Sequence, residues 1–374
     1  MSLSEESDAL HARVRAFARA SLSRAPAESF DGLAADIARF QEAYSPGFRR
    51  LVEAHARPLA DAASIPAVPV DAFRLARVAV HPPKEDAARF VTSGTTGGAR
   101  GTHAMRTTST YRELSLAWGL PGLGCDPARR HVVVALAPDP GAQIESSLAY
   151  MMRAFMEALD GRSLRDARAD HFQDDVRERW LVGSDGADVR GIARAVAIAK
   201  ERREPLVVLA TSFALALFVE GNGVRFDAPE GSVVMTTGGF KGKTREVDAS
   251  VLGAQVAAAF GVAEARIVGE YGMTELTSQL YERAALAPRG VFFPPPWLRV
   301  TAVDPETLSP VQKGEAGIAR FVDLGNVDSA VAIVTQDVVR EIGEGVMLMG
   351  RRAGAEARGC SLAIEEMVLG GGRG

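Results

Sequence analysis

The sequence has little cysteine, little net charge and no long apolar run. Two cysteines among 374 residues, Cys125 and Cys360, exclude a disulfide framework and a cysteine-rich zinc site. The 43 basic and 47 acidic residues leave a net charge of −4, which argues against nucleic-acid binding through bulk positive charge. The most apolar stretch, residues 205–219, is shorter than the about 18 to 20 residues of a membrane span. The N-terminus lacks an apolar signal-peptide core, so we expect a cytoplasmic protein with neither a membrane span nor a nucleic-acid partner.

The chain begins with helical periods and continues with alternating strand-like and helical patterns. Apolar residues recur at steps of three and four from Ile37 to Leu51, which predicts an amphipathic helix that Pro46 interrupts. Residues 148–159 predict a helix whose methionine-rich face is interpreted as core. The run at 205–219 is interpreted as a buried strand entering a buried helix. Short apolar strands are predicted at residues 131–136, 206–210, 233–236, 266–268, 330–334 and 346–349, and their alternation with helices favours an α/β fold.

The most informative segment is TSGTTGGARG at residues 92–101. Its glycines let backbone N–H groups approach an anion closely, and its hydroxyls and Arg100 add donors, so it suits a triphosphate. A solvent-exposed loop of turn residues is the alternative interpretation. The segment is no Walker A motif, because no Gly-Lys-Ser/Thr closes it.

A second glycine-rich segment, TGGFKGKT at residues 237–244, nearly mimics Walker A but has Thr237 where that motif needs its first glycine. It follows a predicted strand, which places backbone amides at the carboxyl edge of a sheet, where α/β proteins bind ligands. Lys241 and Lys243 would add positive charge there. For Lys243 we favour the alternative, a solvated lysine.

The third segment, GEYGMTELTSQ at residues 269–279, also follows a predicted strand. Tyr271 offers a flat ring, and Thr274 and Glu275 offer a hydroxyl and a carboxylate. Such oxygen ligands suit Mg²⁺ held jointly with phosphates. The alternative for Glu275 is a residue at the start of a helix, where the helix dipole favours a carboxylate.

These segments, followed by TQD at 335–337 and GR at 350–351, resemble in their order the core motifs of the adenylate-forming superfamily. The strings GGFKG, EYGMTEL, SQLY and GRRAGAEARGCSLAIEEM are similar to one branch, the LuxE-like acyl-protein synthetases of bacterial bioluminescence, or long-chain-fatty-acid–luciferin-component ligases. The resemblance runs from about residue 64 to the C-terminus. It implies that the chain is an AMP-forming acid–thiol ligase.

The resemblance implies an α/β fold built around an adenylate-forming-type large domain with layered β-sheets and helices. We expect this domain at residues 81–349, after a helical N-terminal segment at 1–80 that packs on it. A short tail at 350–374 would follow. The small C-terminal domain of the superfamily, with its catalytic lysine, is expected to be absent or truncated.

Carried over by position, the resemblance also implies binding residues for ATP. The β- and γ-phosphates are expected to contact Thr92, Ser93, Gly94, Thr95, Thr96 and Gly97, with Arg100 in place of the usual lysine. Adenine and the acyl entrance are expected to be lined by Gly238, Gly239, Phe240, Tyr271 and Gly272. Asp337 would accept hydrogen bonds from the ribose, and Arg351 would lie beside the nucleotide. Gln336 departs from the glycine usual before that aspartate.

The catalytic roles follow from the same resemblance. Thr274 would contact the α-phosphate, and Glu275 would hold Mg²⁺. We hypothesise that Lys241 replaces the absent lysine. Cys360 matches the acyl-carrying cysteine of the branch, and a thiolate is the form that attacks an activated acyl group. Cys125 is interpreted as structural, and His103 as a surface or core histidine.

The expected reaction has two halves. MgATP and a carboxylic acid, by resemblance a long-chain fatty acid, give acyl-AMP, and Cys360 then takes the acyl group and passes it to a protein partner such as an acyl reductase or acyltransferase. One alternative is an acyl- or aryl-CoA ligase or an adenylating enzyme of secondary metabolism. A non-enzymatic alternative is a nucleotide-binding accessory subunit.

Overall fold

A computed structural model describes residues 1–92, 100–141, 143–160, 179–184, 186–238, 249–352 and 358–369. The chain divides into two compact units, whose boundaries in the sequence follow residues 117, 272, 279 and 292. Unit one comprises Met1–Ala117, Met273–Gln279 and Phe293–Gly374. Unit two comprises Trp118–Gly272 and Leu280–Phe292.

Helices predominate at the start of the described chain and strands towards its end. The helices are α1 Leu3–Ser21, α2 Phe30–Tyr44, α3 Pro46–His55, α4 Ala72–Leu75, α5 Ser109–Gly122, α6 Ser147–Asp160, α7 Val189–Arg202, α8 Ser212–Asn222, α9 Ala249–Phe260 and α10 Arg358–Leu369. The strands are β1 Val68–Pro69, β2 Ala88–Val91, β3 Thr102–Met105, β4 Val132–Pro138, β5 Trp180–Gly183, β6 Gly186–Ala187, β7 Leu206–Thr211, β8 Val233–Thr237, β9 Ile267–Tyr271, β10 Leu280–Glu282, β11 Val291–Phe293, β12 Leu298–Val303, β13 Ala316–Asp323, β14 Ala332–Ile342 and β15 Gly345–Arg351. None of the helices described is both long and apolar enough to cross a membrane.

Unit one contains the N-terminal helices and an antiparallel sheet in the order β12-β13-β14-β15, with β1 added in parallel to β14. The interruption predicted at Pro46 is confirmed. Helix α2 ends at Tyr44, and the Ser45 side chain caps α3 by accepting a hydrogen bond from the Phe48 amide. Pro46 is the first residue of α3, where proline removes no hydrogen bond that the helix needs.

Helix α10 packs against α3 and β1 within unit one. Its buried residues are Cys360, Ala363, Ile364 and Met367. At the other end of the helix from Cys360, the Arg50 guanidinium of α3 donates to the Met367 carbonyl, with Nε at 3.1 Å. An arginine at a helix C-terminus also interacts favourably with the helix dipole, so Arg50 stabilises the docked helix.

Unit two is a layered α/β structure whose strands lie in the order β11-β10-β9-β8-β7-β4-β5-β6. The pairs β5–β4, β4–β7, β7–β8 and β8–β9 are parallel. Strands β4 and β7 are buried along most of their length, which explains their continuous apolar sequence, since helices cover both faces of a parallel sheet. The α/β class is confirmed. The predicted strands are confirmed to within three residues at their ends, except that β14 continues eight residues beyond the end predicted for it at Val334.

Two helical interpretations had different outcomes. The methionine-rich face of α6 is core, because Met151, Met152 and Met156 are all buried. The run at 205–219 is a buried strand, β7, that enters the helix α8, as predicted, but α8 is buried on one face only. In α8, Leu215 and Phe218 are buried while Leu217 is 55% exposed, because the helix covers the sheet with one face only.

Candidate active site

In unit two, Gly238, the first glycine of the second glycine-rich segment, lies at the carboxyl edge of the parallel strands. Strand β8 runs between β7 and β9, and Gly238 follows its last residue directly. Gly238 has a φ of +73°, a conformation that favours glycine, and its carbonyl accepts a hydrogen bond from the Ser212 hydroxyl at 2.6 Å. The location expected for the start of the second glycine-rich segment, at the carboxyl edge of the sheet, is thereby confirmed for Gly238. Gly239, Phe240 and Lys241 lie outside the described residues.

The same edge carries a buried carboxylate that the sequence did not single out. The Thr237 hydroxyl, at the end of β8, donates to the carboxylate of Glu270 in β9. Tyr271 is the last residue of β9, is buried, and packs with its ring centroid 6.2 Å from that of Phe292. Gly272 follows directly. These residues lie at the carboxyl ends of parallel strands, which is where α/β proteins bind ligands.

In unit one, strands β2 and β3 form the hairpin that contains the glycine-rich segment of residues 92–101. The Thr92 amide donates to the Gly101 carbonyl, and the Gly101 amide donates to the Thr92 hydroxyl, both at 2.9 Å. Arg100 Nε donates to the Thr92 carbonyl, also at 2.9 Å. The two ends of the segment are therefore held together. Ser93, Gly94, Thr95, Thr96 and Gly97 lie outside the described residues.

Thr274 and Glu275 are the central residues of a β-turn in unit one. The Leu276 amide donates to the Met273 carbonyl at 3.2 Å and closes the turn. Glu275 is buried and Thr274 is half-buried. The alternative interpretation of Glu275 as a helix-start residue is wrong, because the next element after the turn is the strand β10.

Asn326, in the segment that connects β13 and β14, holds this turn from its C-terminal side. Its Nδ2 donates to the carbonyls of Glu275 and Ala330, both at 2.9 Å. Its Oδ1 accepts from the Thr277 amide at 3.0 Å and from the Thr277 hydroxyl at 2.7 Å. Every polar atom of this buried amide is therefore used, which fixes one conformation for the backbone after Glu275.

Asp323, at the end of β13, holds the next two residues. Its carboxylate accepts from the amides of Thr277 and Ser278 and from the Ser278 hydroxyl at 2.8 to 3.0 Å. Ser278 also accepts from the Trp297 indole at 3.1 Å. Burial raises the pKa of Asp323 to about 6 although these donors oppose the rise.

His103, on β3, holds the turn through its first central residue. Its Nδ1 lies 2.8 Å from the Thr274 carbonyl oxygen, and its Nε2 lies 2.9 Å from the Ser329 hydroxyl. Because a carbonyl can only accept, Nδ1 carries the proton, and in the neutral ring Nε2 accepts from Ser329. Burial lowers the pKa of His103 to about 4, so the ring is neutral at physiological pH.

The supporting residues Asp323, Asn326 and Ser329 were missed by reasoning from the sequence. They share a polar run, DLGNVDS at residues 323–329, between the apolar strands β13 and β14. Most of this run is buried. The density of polar residues between two core strands could have indicated a buried hydrogen-bond network here, since buried polar groups need hydrogen-bond partners.

We expect the burial of His103 to make folding stability depend on pH. The folded ring takes a proton only near pH 4, whereas the unfolded one does so near 6.5, so the unfolded state binds more protons between these values. The free energy of unfolding should therefore fall as the pH decreases through this window. At pH 4.5 the loss from this group is on the order of 2 to 3 kcal/mol relative to pH 7.5.

The measurement is urea unfolding at both pH values for the wild type and for His103→Asn, which does not titrate there. Asp323 titrates in the same range with the opposite sign, because its raised pKa makes the folded state hold its proton more tightly. The contribution of Asp323 cancels in the difference between the two proteins. Equal losses of stability in both would contradict a neutral His103.

Asp337 and Arg351 are brought together by the pairing of β14 with β15, where they are direct cross-strand partners. Asp337 is partly exposed and Arg351 is exposed. The Asp337 amide donates to the Thr335 hydroxyl at 3.0 Å, and the Gln336 carbonyl accepts from the Arg352 amide at 2.9 Å. Gln336 is therefore accommodated in the β14–β15 pair, just before an irregularity of its register between Asp337 and Val339, at the position where the superfamily has glycine.

Both cysteines are buried, and no disulfide joins them. Cys360 is the third residue of α10, in its first turn, as expected from its place near a helix start. Its side chain is only 1% exposed. Burial raises the pKa of Cys125 to about 11, which agrees with a structural role for that thiol.

Within the described ranges, no group of three or more histidine, cysteine, aspartate or glutamate side chains could hold a metal ion. Glu275 by itself offers a hard oxygen ligand of the kind that Mg²⁺ prefers. Mg²⁺ keeps several waters and binds proteins through one or two carboxylates together with phosphates, so one glutamate is compatible with such an ion.

Part of the chain is similar to known acyl-protein synthetases. The family model of the LuxE acyl-protein synthetases matches residues 192–369, which contain the second and third glycine-rich segments and Cys360. A long-chain-fatty-acid–luciferin-component ligase of Aliivibrio fischeri is 37% identical over 83 residues, which are 20% of this chain and 22% of the relative. The chain therefore matches about a fifth of that relative's length. The resemblance noted in the sequence is confirmed over this region.

Solved structures align with this chain at low sequence identity. The open conformation of a 2-hydroxyisobutyryl-CoA ligase, in complex with 2-HIB-AMP and CoA, aligns with a TM-score of 0.54 and 15% identity over 85% of this chain and 73% of the ligase. The ATP-bound MatB of Rhodopseudomonas palustris aligns with a TM-score of 0.48 and 14% identity over 72% of this chain and 49% of MatB. The first alignment shows that this chain shares the α/β fold of that ligase.

Proposed function

We propose that this chain, which resembles the LuxE acyl-protein synthetases over residues 192–369, activates a carboxylic acid with ATP as an acyl adenylate. The observation that carries the proposal is the turn at Thr274 and Glu275. His103 and Asn326 hold the carbonyls of its two central residues. A ligase with the same fold has been solved with an acyl adenylate bound, which supports this chemistry.

In the first half-reaction, a carboxylate oxygen of the acid attacks the α-phosphorus of ATP. The bond from the α-phosphorus to the bridging oxygen breaks, and pyrophosphate leaves. The protein contributes positioning and charge neutralisation, which are the main sources of catalysis in such transfers. Thr274 is assigned to the α-phosphate, and Arg100 with the residues of the glycine-rich segment to the β- and γ-phosphates.

The nucleoside is assigned to residues at the ends of strands. Tyr271 and Gly238 are proposed to contact the adenine, and Asp337 the ribose hydroxyls with Arg351 beside it. Asp337 and Arg351 are cross-strand partners, which supports a shared role. Lys241 is proposed to balance the charge of the acid and the α-phosphate.

Glu275 is proposed to hold a magnesium ion. Bound there, the ion would supply neutralisation of the phosphate charge. The buried carboxylate lies in a turn whose backbone is held by Asn326, so its Cα position is set before any ligand arrives. Such preorganisation reduces the cost of ordering a metal ligand.

In the second half-reaction, the Cys360 thiolate is proposed to attack the acyl carbon. A thioester forms, the bond from the acyl carbon to the AMP oxygen breaks, and AMP leaves. Because Cys360 is 1% exposed in the docked helix α10, this step requires α10 to leave its position on α3 and β1. The thioester would then pass to a protein partner, an acyl reductase or an acyltransferase.

The acid is proposed to be a fatty acid, because the Aliivibrio fischeri relative is a ligase of long-chain fatty acids. Coenzyme A is the alternative acyl acceptor. The ligase of similar fold was solved with CoA bound, which favours that acceptor as the second candidate.

The first test is exchange of labelled pyrophosphate into ATP with a panel of aliphatic and aromatic carboxylic acids. We expect exchange that depends on the acid and on Mg²⁺, fastest with a long-chain fatty acid. The same protein should bind ATP in the absence of any acid. ATP binding without exchange for every acid of the panel would contradict the proposed activity and favour an accessory subunit.

A further inference from the structure

We propose that His103 is a positioning residue for acyl-adenylate formation, and that it acts by holding the backbone of the turn at Thr274 and Glu275. This inference rests on the proposed function, because it assigns the Thr274 hydroxyl and the Glu275 carboxylate to the nucleotide and its metal ion. The bond that carries it joins His103 Nδ1 to the Thr274 carbonyl oxygen at 2.8 Å.

The ring of His103 has one orientation and one tautomer. Its two nitrogens bond to two different acceptor and donor groups, the Thr274 carbonyl and the Ser329 hydroxyl. Phe73 packs edge-on against the ring at a centroid distance of 5.7 Å. The side chain is 2% exposed, and its lowered pKa excludes a second proton at neutral pH. Because the ring is fixed in this way, its Nδ1–H group can fix the position of the Thr274 carbonyl.

The contact with the turn is a hydrogen bond to the backbone of the residue assigned to the α-phosphate. The neighbouring carbonyl, that of Glu275, is held by Asn326, so both central residues of the turn are fixed independently. Hydrogen bonds are directional, so these two bonds select one conformation of the turn more specifically than nonpolar packing would. The role of His103 is therefore specific to its Nδ1–H group.

His103 also connects the turn to the hairpin of the glycine-rich segment. It is the second residue of β3, two positions after Gly101, whose amide and carbonyl are bonded to Thr92. The strand that carries the donor to the turn therefore begins directly after Gly101, which closes that segment. A displacement of about 1 Å in a group that positions a substrate can reduce the rate about 100-fold.

Three substitutions distinguish the contribution of Nδ1 from that of Nε2. The amide of His103→Asn can place a donor near the position of Nδ1, whereas that of His103→Gln places its polar group near the position of Nε2. His103→Leu has neither. Rates and Michaelis constants for ATP are measured by pyrophosphate exchange with the acid that the wild type prefers.

We expect His103→Leu and His103→Gln to lower kcat about 10- to 100-fold with a much smaller change in KM for ATP. His103→Asn should stay within about tenfold of the wild type, since only one bond of ordinary strength, that to Ser329, is lost. Hydrogen exchange of the Leu276 amide, which closes the turn, provides a second readout. Its protection should fall in the leucine and glutamine variants and persist in the asparagine variant.

Equal kinetics in all four proteins, or a loss in His103→Asn as large as that in His103→Leu, would overturn the inference. So would unchanged protection of Leu276 in His103→Leu. Melting temperatures of the variants show whether a loss of rate is merely a loss of folded protein. A wild type that exchanges with no acid would instead refute the proposed function, and the role of His103 with it.

Discussion

Replacing Cys360 with serine is expected to leave acyl-adenylate formation intact and to abolish the acyl-enzyme. The thiolate is the proposed nucleophile for the second half-reaction only, and a serine hydroxyl is not ionised near neutral pH. Serine is close to cysteine in size, so it should be tolerated at the first turn of α10. Pyrophosphate exchange should therefore continue at a rate close to that of the wild type.

The acyl-enzyme is measured by incubation with ATP and a radiolabelled fatty acid, followed by denaturation and detection of label on the protein. Label on the wild type should be released by neutral hydroxylamine, as expected for a thioester. Label on Cys360→Ser should fall to the background of a reaction without ATP.

Cys125→Ser is the matched control, because it alters the other cysteine of the chain. The raised pKa of Cys125 keeps this thiol protonated at neutral pH, so its loss should not reduce the label. Hydroxylamine-sensitive label that persists on Cys360→Ser would refute the carrier role. Normal exchange with transfer to CoA in that variant would favour the CoA-ligase alternative.

Glu275→Gln should reduce the rate of adenylate formation about 100-fold or more. The substitution keeps the size of the side chain and the backbone bond from Asn326, but it removes the charge that is proposed to hold magnesium. Loss of one electrostatic contact that stabilises a transition state has effects of about this size. Exchange measured as a function of Mg²⁺ concentration should show a raised requirement for the metal.

Glu315→Gln is a suitable control, since Glu315 is an exposed glutamate of the same unit. It should retain the wild-type rate and metal dependence. A Glu275→Gln variant with the wild-type dependence on Mg²⁺ would show that another group holds the ion. Thermal unfolding of both variants distinguishes this result from a loss of folded protein.

The secondary structure was readable because local pattern and burial agree in most elements. The apolar runs that become β4, β7 and β8 are buried in a parallel sheet, and such strands have continuous apolar sequences. Pro46 marks a helix boundary for reasons within one turn of chain. In α8 the apolar pattern did not predict which face of the helix is buried. Leu217 is apolar but 55% exposed, and hydrophobicity alone does not tell which face of a short helix meets the core.

The candidate site could be predicted from the sequence only in part, because some of its residues lie in glycine-rich segments and others stand outside any motif. Glu275 and Gly238 lie in segments whose glycines and hydroxyls form recognisable strings. His103, Asn326 and Asp323 have no such string. His103 and Asn326 bond to the turn, and Asp323 bonds to the two residues that follow Leu276, all from distant parts of the chain. His103 bonds to a carbonyl 171 residues away. A hydrogen bond over such a separation leaves no local pattern.

The sequence by itself determined the α/β class, the order of the glycine-rich segments and their resemblance to acyl-protein synthetases. These properties depend on residue types and on spacing along the chain. Only the tertiary structure decided that Glu275 lies in a turn and not at a helix start, that His103 and Asn326 hold that turn, and that Cys360 is buried within unit one. The physical reason is that burial and hydrogen-bond partnership are relations between segments far apart in sequence, which exist only after the chain has folded.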